Sequence, residues 1–355
     1  MYKSILQEAL SLGEAERRQL AEAIRESLVA QAGRAGDPEA CPRCGCGCVV
    51  RRGRDAGGAQ RWLCRGCGRS FTARTGTLVA LSKLPLSTWL DYVDATMEGR
   101  SLRACAEACG VSLPTSWYMR MRLCDVMSSQ VQAMRGGEGV SCQADEAYLD
   151  ESLKGRHAEG FMPRESHRHG GESHRAGLSK LKVGVVTVVN DLGDCRCRLA
   201  SRGKTGVEGV RASLPEGALA GSVVSTDMLA SYVRPLAEAG VAVHNRYNSK
   251  EAGEDELGMV NALHQRLRGF LARFHGVATR RLQLYLHWFE WGEQARHSDA
   301  SWSAMLGAQA AHGRYSIRRR SLFAEPQPFW DYWEGKAPVL DVESEYAPEV
   351  ISGLV

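Results

Sequence analysis

The chain has 355 residues, 44% of them hydrophobic and 24% charged, with a formal net charge of +4. That length suggests two or three domains, and the composition is that of a soluble protein able to bury a sizeable core. It excludes a membrane span, because no stretch nears the ~20 uninterrupted apolar residues required; the N-terminus lacks a secretory leader's apolar core, so the twelve cysteines are expected as reduced thiols in the cytoplasm.

Taken in order, residues 1–37 read as a helical segment with a linker-like end. Leu6, Ala9, Leu10, Leu20, Ala23, Ile24 and Leu28 recur at roughly helical spacing. Ser11 is placed to cap a helix, with Glu14 three residues on. Residues 38–77 carry Cys41-Pro-Arg-Cys44 and Cys64-Arg-Gly-Cys67, with nineteen residues between the inner cysteines. Each pair makes a tight turn aiming two sulfurs at one point, and two such turns complete a tetrahedron for one zinc ion. Thiolate ligation also supplies folding energy to a module too small for a large core. Cys46 and Cys48 are extra and fit the turn geometry less well. Between the pairs the pattern is that of a hairpin, and arginines at 43, 51, 52, 54, 61, 65, 69 and 74 leave it almost without acids. Such a ribbon suits a phosphate backbone, with Arg51, Arg52 and Arg61 as candidate contacts.

Residues 78–137 read as all-helical. Pro85–Met97 forms one helix. Ser101–Ser112 has the pattern of a first helix and turn, with Gly110 closing the helix and Val111 filling the turn. Ser112 is placed to cap a second helix, Leu113–Met127, which carries Arg120 and Arg122. In a helix-turn-helix the second helix enters the major groove, making these two arginines candidate DNA contacts. Gly136–Gly139 reads as a domain boundary.

Residues 138–295 alternate strands and helices. The strands are Ser141–Asp150, 181–189, Cys195–Ala200, Ser222–Asp227 and Val241–His244. The helices are Thr205–Leu214, Met228–Glu238, 258–275 and Thr279–Gln294. Cys195 and Cys197 alternate with arginines, as strand residues do. A polar segment with His157, His167, His169 and His174 reads as a loop, its histidines lacking ligand spacing. Residues 296–355 are a tail of irregular signal.

This order resembles a ribonuclease H-like α/β fold with a mixed sheet, preceded by a small β zinc ribbon and an all-helical domain. Asp145 stands on the first strand and Asp227 ends the fourth. Gln143-Ala-Asp145-Glu146, Val224-Ser-Thr-Asp227 and the run Val260-Asn261-Ala-Leu-His264-Gln-Arg-Leu-Arg268 follow one another. Over roughly residues 38–292 the chain resembles insertion-sequence transposases of the ISXO-type zinc-ribbon group, whose acidic triads end in Glu or Asn. The resemblance implies a DNA transposase that cuts element ends and joins the freed 3′-OH to target DNA. It implies Asp145, Asp227 and Asn261 as ligands of two Mg²⁺ or Mn²⁺ ions, and Arg268 as a phosphate grip. Asn261 is a neutral ligand, so Glu251, Glu254 and Glu256 stay open as alternatives. Element ends and target DNA are the implied partners, with at least a dimer to pair two ends. Two other readings of the same residues are a DNA-binding regulator with an inactive core and a nuclease that never joins.

Overall fold

The computed structural model describes residues 38–152, 182–248 and 254–312, save 57 and 81, together with parts of 8–20. Most of the N-terminal helical segment, the His-rich loop with His157, His167, His169 and His174, and the tail after His312 lie outside the described residues. At Ser11 the capping expectation shifts by two positions. The Ser11 hydroxyl donates back to the Glu8 carbonyl, while Glu16 accepts from the Gly13 amide and caps the next turn.

The chain divides into two compact units, one reaching to Ser129 and regaining the chain from Ala300, the other spanning Gln130–Asp299. The first unit opens with an antiparallel ribbon of β1 (Val49–Arg54), β2 (Gln60–Cys64) and β3 (Ser70–Thr72). Trp62 pairs with Phe71, and their rings stack at 6.0 Å to make most of the ribbon's small core. Three helices follow: α1 (Leu86–Met97), α2 (Leu102–Ala108) and α3 (Leu113–Gln130). Ser101 caps α2 by accepting from the Ala104 amide. Gly110 ends it at φ +61°, a conformation that favours glycine. Ser112 then accepts from the Thr115 amide at the start of α3. Tyr92 of α1 donates to the Ser116 carbonyl of α3, and the Ser116 hydroxyl donates to the Leu102 carbonyl of α2. The three helices are thereby joined at one buried point.

The tail is not irregular throughout. Trp302–His312 forms a helix, α8, which packs on α1 with Leu306 and Ala310 buried. Ser301 caps it through the Ala304 amide. Small residues hid the helical period, but they permit the close crossing: a Cβ on Gly307 would already touch Leu90.

In the second unit, β4 (Ser141–Asp150), β5 (Lys182–Asn190) and β6 (Cys195–Arg202) form an antiparallel meander. β7 (Val223–Asp227) joins β4 in parallel, and β8 (Val243–Tyr247) joins β7 in parallel. The order is β6-β5-β4-β7-β8, a mixed five-stranded sheet with helices on both faces. On one face α4 (Val207–Ser213) and α5 (Val233–Glu238) cover Cys142, Ala144, Val186, Val188 and Val224. On the other lie α6 (Glu254–Ala272), packed on β4, β5 and β7, and α7 (Leu282–Ala295), packed on β6. Cys195 and Cys197 are buried strand residues, and all twelve cysteines are free thiols. None of the described helices is long and apolar enough to cross a membrane.

β6 is an edge strand, and α7 closes it with polar side chains. Gln283 accepts from the Leu199 amide and donates to the Cys197 carbonyl, as a neighbouring strand would. Glu290, two turns on, accepts from the Cys197 amide and pairs with Arg198.

The glycine run 136–139 is not the boundary between units. Met134 is in the second core, and Arg135 bonds Asp194 through both its amide and its guanidinium. The chain has therefore entered the second unit before the glycines. Gly136 is there for closeness, since any Cβ would overlap the Ala218 carbonyl.

Candidate active site and metal centre

The ribbon's two cysteine pairs are folded alike. In each, the glycine after the second cysteine (Gly45, Gly68) has positive φ and donates its amide to the first cysteine's carbonyl. The first cysteine's amide bonds the carbonyl five residues on, Cys41 to Cys46 and Cys64 to Arg69. Amides also point at sulfur, Arg43 toward Cys41 and Cys67 toward Cys64. The sulfurs of Cys41, Cys44, Cys64 and Cys67 all lie within 4.8 Å of one another. Cys41 and Cys67 are 3.8 Å apart, and Cys44 and Cys64 are 3.6 Å apart. Thiolates about 2.3 Å from one zinc ion in a tetrahedron stand about 3.8 Å apart, so these two separations match such an ion and the four sulfurs are grouped closely enough to hold one. Cys46 and Cys48 lie outside the set.

Strand alternation sorts the basic ribbon residues. Arg51 pairs with Trp62 and shares its face, which carries the core. Arg61 falls on the opposite face, with Val50, Leu63, Ser70 and Thr72, while Arg52 lies in the irregular stretch between Arg51 and Arg54. Arg52 is exposed, and Arg61 is half-buried and donates to Ser70.

Arg120 and Arg122 do not face outward as expected. Arg120 is 1% exposed and donates to the Arg100 carbonyl and the Cys105 sulfur. Arg122, 3% exposed, lies over the rings of Trp89 and Tyr118 and donates to the Thr77 carbonyl. The reason is that α3 is the central helix of its unit. Met119, Met121, Leu123, Cys124, Val126 and Met127 are buried around its whole circumference. Exposure is confined to its two ends, Ser112, Leu113 and Pro114 at the start and Ser129 near the finish. Arg120→Ala is expected to lower stability by about 3 kcal/mol, through the charged hydrogen bonds lost and the cavity left in the core. Urea unfolding measures this.

In the second unit, parallel pairing sets Ala144 opposite Thr226. Asp145 and Asp227 are the next residues, so the two carboxylates project from neighbouring strands on one face. That face looks at α6, where Gln143 accepts from the Val260 amide. Asp227 is fixed by the Leu229 amide, which donates to its Oδ1. Burial above all, with the Asp227 charge beside it and against the pull of Arg268, pushes the Asp145 carboxyl up to about 6. Paired carboxylates under strain of this kind are the donor set that hard divalent cations take.

Helix α6 carries the remaining candidates. Arg268 is exposed, and its charge acts on both Asp145 and His264. Asn261 is exposed and stands one turn before His264 on the same side of the helix. Glu256 precedes His264 by eight residues, about 12 Å along the axis. Glu251 and the side chain of Glu254 lie outside the described residues.

Two residues near the carboxylates carry no role in the sequence reading. His264 is buried with Nδ1 3.8 Å from Asp145 Oδ2 and Nε2 2.7 Å from Thr187 Oγ1. Its burial holds the ring's pKa down at about 4. The signal was its spacing: His264 is three residues from Asn261 and four from Arg268. Glu146 faces the other way, as alternation requires, but it is buried beside Tyr232 rather than solvated. Burial first, then the charges of Asp145 and Asp227, push its pKa up to about 8.

No protein-family model and no curated protein matches the chain. Among solved structures, a Mos1 transposase paired-end complex with left transposon end is similar at 12% identity and a TM-score of 0.27. It covers 62% of this chain and 74% of that one. A pre-cleavage Mos1 transpososome is similar at 10% identity and a TM-score of 0.22, covering 66% and 79%. Overlays with such low scores bear on neither fold nor function.

Proposed function

We propose that this chain is a DNA transposase that cleaves the ends of a mobile element and joins the freed 3′-OH to target DNA. The reading rests above all on Asp145 and Asp227 sharing one face at adjacent positions of two parallel strands. The order β6-β5-β4-β7-β8, a meander followed by two parallel strands, is that of a ribonuclease H-like core and supports the same reading.

In this reading Asp145, Asp227 and Asn261 hold Mg²⁺ or Mn²⁺. Two such ions, when bound, activate the attacking oxygen and stabilise the leaving one in phosphodiester chemistry. The protein's own residues position and shield. Arg268 grips a phosphate beside the carboxylates, its planar fork suited to that group. Gln143 and Thr187 tie β4 and β5 to α6, keeping the helix residues aligned with Asp145. A zinc ion on Cys41, Cys44, Cys64 and Cys67 holds the ribbon together. The first unit takes the DNA by its backbone, and pairing two ends calls for at least two copies of the chain.

Assaying end-bearing DNA with target plasmid and Mg²⁺ or Mn²⁺ tests this. Joined products are expected. Cuts that never lead to joining would instead make the chain a nuclease. Sequence-specific binding without cleavage would make it a regulator with an inactive core, a reading to which the neutral Asn261 lends itself. For the ribbon, Arg52→Ala and Arg61→Ala should each reduce the slope of log affinity against log salt by about one. Fluorescence anisotropy across a salt series reads it.

A further inference from the structure

Thr187 has one hydroxyl proton and two close neighbours. Its Oγ1 is 2.9 Å from the Asp145 carbonyl oxygen and 2.7 Å from His264 Nε2. A carbonyl cannot donate, so at that distance the Thr187 proton must lie on its side. The His264 contact is then made by an Nε2–H donating to Thr187. The proton of the neutral ring is thus on Nε2, and Nδ1 carries a bare lone pair. That lone pair faces Asp145 Oδ2, a second acceptor, across 3.8 Å. This is too long for a hydrogen bond. Two ligand atoms each about 2.1 Å from a shared ion stand between about 3.0 and 4.2 Å apart, depending on the angle between them. A ligating histidine is typically fixed by a bond from its other ring nitrogen, the part Thr187 plays here.

We propose that His264 Nδ1 is a ligand of the ion held by Asp145 and Asp227. This rests on the reading of the aspartate pair given above and adds a nitrogen donor to it. An imidazole among carboxylates favours a first-row transition ion over Mg²⁺. The site therefore takes Mn²⁺ in preference to Mg²⁺, with Thr187 as the positioning residue that sets the ring's tautomer.

The test is electron spin-echo envelope modulation on the zinc-loaded full chain with one equivalent of Mn²⁺. The expected spectrum shows coupling to a histidine nitrogen, which changes to that of ¹⁵N when the histidines are labelled. The coupling should be absent in His264→Gln and intact in His287→Gln, whose ring lies on α7. Mn²⁺ affinity should fall about tenfold or more in His264→Gln, with the preference for Mn²⁺ over Mg²⁺ reduced. If His264→Gln does not fold, Thr187→Val should weaken the coupling while the ring remains. Mn²⁺ that binds in an Asp145-dependent way without nitrogen coupling overturns the assignment of His264 and leaves the aspartate site standing. Mn²⁺ binding indifferent to Asp145→Ala overturns both.

Discussion

Strand transfer by Asp145→Ala or Asp227→Ala is expected to fall by about 10³-fold or more. Each change removes a charged donor from the only described pair of carboxylates sharing the α6 face. Loss of several kcal/mol of charge stabilisation converts to that factor at 1.36 kcal/mol per tenfold. DNA binding by the first unit should persist, because neither residue belongs to it. Asp145→Asn provides the folding control. Without divalent metal, a carboxylate buried beside Asp227 is a cost to the fold, so the amide variant should melt at or above the wild-type temperature. Inactivity joined to unimpaired melting is the expected pair of results. Near wild-type joining by either alanine variant would refute the proposed chemistry.

Loss of zinc is the second large effect. Cys64→Ser should remove about one equivalent of metal per chain and unfold the ribbon, because binding energy at such sites is folding energy. The ribbon's own core is little more than Trp62, Phe71, Cys41 and Cys64, too few residues to hold three short strands. Trp62, buried at 5% exposure and two positions from Cys64, gives the readout. Its fluorescence should shift to the red in the variant and on treatment with a chelator. Cys48→Ser should change neither metal content nor emission. Metal analysis finding zinc retained in Cys64→Ser would refute the four-thiolate site.

Much of this was legible from the residues, for reasons that differ by element. The cysteine pairs were readable because the spacing of tight turns leaves few other uses for four thiols. The strands and helices of the second unit were readable because their burial has regular period. Ser222–Asp227 was expected against an observed Val223–Asp227, and 258–275 against Glu254–Ala272. The arginines of α3 were misplaced because an arginine looks polar in a sequence, whereas its long side chain can cross a core to reach carbonyls and rings. Helix α8 was missed because alanine and glycine give little amphipathic contrast. For His264 the spacing from Asn261 and Arg268 was on view, but the contact that fixes its ring was not. It depends on Thr187, seventy-seven positions earlier, and no local pattern records that contact.

The sealing of β6 by Gln283 and Glu290 has a consequence for association. A sheet grows by adding strands to an edge that offers free amides and carbonyls. On the β6 side the Leu199 and Cys197 amides are already taken by side chains of the same chain. Added strands, whether from another copy or from a misfolded neighbour, must then approach from the β8 side, whose strand has β7 as its single partner in the sheet. Among the described residues, association through this five-stranded sheet is thus limited to one polarity, two copies meeting β8 to β8 rather than β6 to β8 in an open series.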